Sequence, residues 1–238
     1  MATERNLITV GAVCAVLTTA AFVVGIALMA SSGVAVLIPD TGQDALDWVA
    51  DVDDANGAFF AGAWLVIAGG LLGMVALVGF YDALREAGRW LILAPVLSVV
   101  GITLVTISHL IPIAMAYELV PGYVNADAAT KASLTVTTDT LAAVSLALNY
   151  TGDALLWAVV VPLYAFAILK TSIVSKWIGW LGLVVGIFAG LFGLLSPASS
   201  VIDGLTFIGF IAFFVFMACM GVALLRRRAT ANVSTSPG

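Results

Sequence analysis

Charge is what this sequence has least of. Only 10% of its 238 residues are Asp, Glu, Lys or Arg, while 62% are hydrophobic and the mean hydropathy is +1.15. Soluble domains carry about a quarter charged residues, so a soluble globular domain and a disordered chain are both excluded. A single histidine, His109, excludes bis-histidine haem ligation and histidine-rich di-metal sites. The two cysteines, Cys14 and Cys219, exclude a disulfide scaffold and are too few for a metal centre; we read both as small packing residues. Serines such as Ser108, Ser196, Ser199 and Ser200 stand in no Gly-x-Ser-x-Gly elbow, and no glycine loop carries a Walker lysine. Nucleophile, base and orienting group do not come together, so we expect no enzyme, no catalytic residue, no metal and no cofactor.

What is abundant is long apolar sequence. A membrane helix needs about 20 mostly apolar residues, and six segments reach that length: 7–30, 57–80, 90–115, 151–169, 177–195 and 204–225. The fold expected is all-α, a polytopic membrane bundle of six transmembrane helices occupying residues 1–228. An acidic loop with Asp40, Asp44, Asp47, Asp51, Asp53 and Asp54 separates the first two spans, and a polar stretch from Glu118 to Asn149 separates the third and fourth.

Lys and Arg near helix ends are retained on the cytoplasmic side. Placing both termini there puts eight of the nine basic residues inside, leaving Lys131 outside, and eleven of the fourteen acids outside. The outer face is thus strongly acidic, which disfavours polyanions and makes nucleic acid an unlikely partner. Tyr81, Trp90, Trp177 and Trp180 fall at the inner interface and Tyr117, Tyr123 and Tyr150 at the outer one, where amphipathic rings settle. Glu4 and Arg5 leave the leading segment nearly neutral and its apolar run is too long for a cleaved signal, so we read it as a retained anchor. The location expected is the cell membrane.

The outer loops carry their own pattern. Asp51-Val52-Asp53-Asp54-Ala55-Asn56-Gly57 resembles a calcium loop but lacks the oxygen ligand, glycine and glutamate required where Ala55, Asn56 and Gly62 stand. An amphipathic interfacial helix fits better, with Ala45, Trp48, Val49 and Val52 on one side and Asp44, Asp47, Asp51 and Asp54 toward water. Ala132 to Leu148 reads as a second such helix over the bundle mouth, the two loops together forming a cap. Residues Ala229 to Gly238 read as a disordered cytoplasmic tail. Asn149-Tyr150-Thr151 and Asn232-Val233-Ser234 match the glycosylation triplet, but the first hugs the membrane and the second lies inside.

Helices in lipid associate through close backbone approach and interhelical hydrogen bonds. Gly182, Gly186 and Gly190, flanked by Gly179 and Gly193, form a ridge on the fifth helix, and Gly62, Gly69 and Gly73 share roughly one face of the second. These ridges pack either within the chain or between chains. Pro112 and Pro162 release the carbonyls of Ser108 and Ala158 and mark candidate kinks.

Four residues form the candidate polar or ligand site: Thr106, His109, Asn149 and Asp153. Thr103, Thr106 and His109 recur every three residues as a drifting polar stripe. His109 is either a titrating or ligand-binding group or a neutral imidazole bonded to a backbone carbonyl near the Pro112 kink. Asp153 either pairs with His109 or interacts with the helix dipole and outer water, the second being preferred. No carboxylate is unmistakably at the midplane, which weakens ion-coupled transport.

Leu148-Asn149-Tyr150, the apolar helix ending at Leu169-Lys170, and Val174-Ser175-Lys176-Trp177-Ile178-Gly179-Trp180-Leu181 together resemble an uncharacterised six-helix bacterial membrane family, a domain of unknown function. Asn149 stands where that family tends to have histidine, and Ser175-Lys176 where it has Pro-Arg. The resemblance implies a prokaryotic six-helix integral membrane protein and supplies no activity or site residue. The function expected is a non-enzymatic packing or scaffolding protein, as a homo-oligomer or with a membrane-protein partner, that binds membrane lipid. The alternative is a small transporter for a neutral or cationic solute, lined by Pro162, His109, Asn149 and Asp153.

Overall fold

The computed structural model describes residues 2–34, 36–55, 57–198 and 200–234. Among them every regular element is helical: α1 (Ala2–Ser31), α2 (Gln43–Asp53), α3 (Gly57–Leu84), α4 (Leu93–Glu118), α5 (Val120–Val124), α6 (Ala128–Asp153), α7 (Val161–Lys170), α8 (Lys176–Val185) and α9 (Ser200–Ser234). π-Helical turns at Ala154–Val160 and Gly186–Leu191 join α6 to α7 and prolong α8. Six runs are long and apolar enough to cross a membrane: Asn6–Ser31, Gly57–Ala87, Arg89–Glu118, Ala128–Lys170, Lys176–Leu195 and Gly204–Arg227. The chain is an all-α, multi-pass membrane protein.

The fourth run corrects the sequence reading. A span limited to 151–169 and a separate helix over Ala132 to Leu148 are replaced by one helical run of 43 residues, Ala128–Lys170. Its cause is local. Between Gly122 and Gly152 there is neither glycine nor proline, and Asp127 starts the helix by accepting the Thr130 amide on its side chain at 2.8 Å. The tail is also corrected in part: α9 continues through Ala229 to Ser234, because nothing after the arginines breaks a helix, and residues 235–238 lie outside the described residues.

By packing, the chain divides into two compact units, residues 1–20, 71–102 and 152–238 in the first and 21–70 and 103–151 in the second. In the first, α1 and α3 cross at Gly11 and Gly79, so closely that a Cβ on Gly79 would lie 2.6 Å from the Gly11 Cα. Only glycine permits that approach. The aromatic centre of this unit is Phe80, edge-on to Tyr164 at 6.1 Å and to Phe216 at 6.5 Å. A tight turn at Gly88, φ 140°, links α3 to α4 in a conformation that favours glycine.

In the second unit α2 lays its apolar face on a core of α1, α3 and α4 side chains. Ala45, Trp48, Val49 and Val52 are buried, against Met29, Phe59, Val66, Ile113 and Met115. The indole of Trp48 donates to the Val36 carbonyl at 3.2 Å and meets Phe59 edge-on at 6.2 Å. Asp44, Asp47, Asp51 and Asp54 are exposed. Gly42, φ 75°, opens α2, and its amide donates to the Asp139 carboxylate of α6 at 2.5 Å. The acidic loop is therefore tied to α6 through its backbone.

Candidate functional site

Polar side chains inside a helical bundle either line a path or bind one helix to another, and their partners distinguish the two. In the second unit Ser145 of α6 is fully buried, and its hydroxyl donates to the Ser108 carbonyl of α4. The buried Ser108 hydroxyl lies 2.7 Å from the Val105 carbonyl and 3.3 Å from Asn149 Oδ1. Pro112 explains the first contact. It has no N–H to give the Ser108 carbonyl, which is left with an open acceptor that Ser145 fills. Pro112 itself stays within α4 without ending it.

Of the four residues named from sequence, Asn149 joins this cluster. Thr106 and His109 lie half-buried on α4 in the same unit, and a Cβ on Gly70 would stand 4.0 Å from Thr106 Oγ1. Asp153 is half-buried at the last residue of α6 and belongs to the other unit. Sequence reasoning missed Ser145. Ser145 and Asn149 are four apart and share one helical face, but that this face meets the Ser108 carbonyl is seen only in the fold.

The first unit holds two comparable ties. Tyr164 of α7, fully buried, donates its phenolic proton to the Leu77 carbonyl of α3 at 2.6 Å. The Thr19 hydroxyl of α1 lies 3.2 Å from the Phe214 carbonyl of α9 and 3.2 Å from the Ala15 carbonyl within its own helix. Tyr164 lies within an apolar stretch of the fourth run, where a buried phenol needs a partner.

The glycines named for packing have internal neighbours. A Cβ on Gly182 would approach Ala165 at 2.9 Å and Phe216 at 3.0 Å; one on Gly186 would meet Pro162 Cγ at 2.5 Å; one on Gly190 would meet the Ala158 backbone at 2.6 Å. The ridge of α8 and its π-turn thus faces α7 and the π-turn before it, and Pro162 sits against Gly186. On α3, Gly69 faces Phe22 at 2.8 Å and Gly73 faces Thr18 at 3.6 Å. Cys14 is buried and Cys219 half-buried, both as free thiols.

The helices and their ties define a multi-pass helical membrane protein. No family model, no curated protein and no solved structure matches the chain.

Proposed function

We propose that the chain is a non-enzymatic packing or scaffolding protein of the cell membrane, with both termini cytoplasmic, acting as a homo-oligomer or as a subunit of a larger membrane complex. One observation carries this reading: the buried hydroxyls of Ser145 and Tyr164 donate to backbone carbonyls of neighbouring helices. Such bonds are the usual adhesive between membrane helices. A transport route needs polar groups turned toward a path, and these are turned toward other helices. The orientation rests on the basic residues, concentrated at 85–89, 170–176 and 226–228. Membership of the uncharacterised six-helix family remains part of the proposal and adds no activity to it.

Because the α8 glycines contact α7 internally, assembly uses other surfaces. Mild extraction from native membranes followed by native electrophoresis tests the role. A discrete species heavier than the monomer, of fixed stoichiometry, supports it; a monomer with no protein partner, across several mild detergents, counts against it.

A further inference from the structure

The first unit contains a groove between the start of α8 and residues 218–226 of α9, with a volume of about 390 Å³. That lies within the range of small-ligand sites, roughly 300–1,000 Å³. Ile178, Cys219 and Val222 form its apolar wall, Ser175 and Trp177 edge it, and Arg226 stands at its basic end.

From the groove and its charge we infer that it holds one anionic phospholipid, with an acyl chain along Ile178 and Val222 and the phosphate at Arg226. The inference rests on the membrane placement of the chain and is independent of the assembly role.

Depth and charge both select this occupant. Trp177 and Arg226 are exposed, a ring and a cation at the groove's edge, which is the arrangement membrane-water interfaces favour. Lys176 lies between two lining residues, and Arg227 donates to the Ile173 carbonyl at 3.4 Å, holding the 171–175 turn beside the groove. No carboxylate lines the groove, and residues 154–202 and 204–238 contain no Asp or Glu at all. An anionic headgroup at Arg226 therefore meets no carboxylate from the groove's own lining. A zwitterionic lipid gains less there, because its own cation meets Arg226. A protein helix could satisfy the apolar wall but would need an acidic residue to meet Arg226.

The test uses the full chain in mild detergent, exposed to an equimolar mixture of palmitoyl-oleoyl phosphatidylglycerol and phosphatidylcholine, with bound lipid counted by native mass spectrometry. The wild type retains one phosphatidylglycerol in preference to phosphatidylcholine. Arg226→Gln reduces that preference by about fivefold, the effect of one interfacial cation on an anionic lipid. Lys170→Gln, whose cation lies over Trp90 at 5.6 Å and lines no part of the groove, leaves it unchanged. Val222→Trp fills the groove from a position already 39% exposed, and reduces retention of both lipids. Circular dichroism and monodispersity identify any variant that has failed to fold. Equal retention of the two lipids by the wild type overturns the inference. So does an Arg226→Gln effect no larger than that of Lys170→Gln. Unchanged lipid binding in Val222→Trp, with loss of a co-purifying protein, would assign the groove to a protein and also overturn it.

Discussion

The phenolic oxygen of Tyr164 lies 2.6 Å from the carbonyl oxygen of Leu77, joining α7 to α3 across 87 residues of sequence. Both residues are buried, so water does not compete for the bond. Tyr164→Phe keeps the ring against Phe80 and removes only the donor. Interhelical bonds in membranes average about 0.6 kcal/mol and seldom exceed about 2. The expected result is a loss of about 0.5–1.5 kcal/mol in reversible unfolding in detergent, with helicity unchanged.

The crossing of α1 and α3 is more sensitive. A methyl group at Gly79 would press on the Gly11 Cα at 2.6 Å, with backbone rather than a flexible side chain in its way. Gly79→Ala is expected to destabilise by about 1–3 kcal/mol, the cost of overpacking. Gly204→Ala, with nothing within 4 Å of the added methyl, should be neutral or slightly stabilising. Thermal unfolding of the pair, side by side, separates packing from helix propensity.

Much of this architecture was legible in the sequence, and its failures have physical causes. The six apolar runs and the buried face of α2 follow from length and periodicity, because Trp48, Val49 and Val52 repeat at helical spacing against aspartates. The long reach of α6 was not legible by hydropathy. Threonines and serines between Lys131 and Ser145 lower the apolar signal without breaking a helix, and several return their hydroxyls to carbonyls four residues back, as Thr135 and Thr140 do. Of the polar site, Asn149 was readable as an isolated amide near a span. Its partner Ser108 and the bridging Ser145 required knowing that α4 and α6 are neighbours, which a pattern within one helix does not contain.

The start of α6 should respond to acid. The Asp127 carboxyl is held below the usual carboxylate range, chiefly because its charged form accepts the Thr130 backbone amide. A group with a depressed folded value stabilises the fold above its ordinary value, about 3.9, and that contribution is lost as pH falls through the lower folded value. The protection factor of the Thr130 amide, its exchange relative to an unstructured peptide at the same pH, should therefore fall on acidification below about pH 4. In Asp127→Asn, which still caps but does not titrate, this acid-dependent loss of protection should disappear.

The acidic loop should be released by a single change on α6. Asp139 accepts the Gly42 amide, 97 residues away, at the residue that opens α2. Asp139→Ala removes the acceptor while the apolar contacts of Trp48 and Val49 remain. Hydrogen exchange over residues 36–53 should rise several-fold in the variant, with exchange in α3 unchanged. Equal protection in both proteins would show that the apolar face alone holds the loop.

The proposed packing role requires that polarity inside this bundle join helices and line no aqueous route. Thiol accessibility tests it most directly. In a background with Cys14→Ala and Cys219→Ala, Ser145→Cys and Asn149→Cys are compared with Ser133→Cys, an exposed position on the same helix. Native membranes are treated with a membrane-impermeant maleimide applied to each face in turn. Rapid labelling is expected at residue 133 and slow labelling at 145 and 149. Labelling at 145 and 149 as fast as at 133 would mean that water reaches the Ser108 cluster, which contradicts the packing role and restores the transporter.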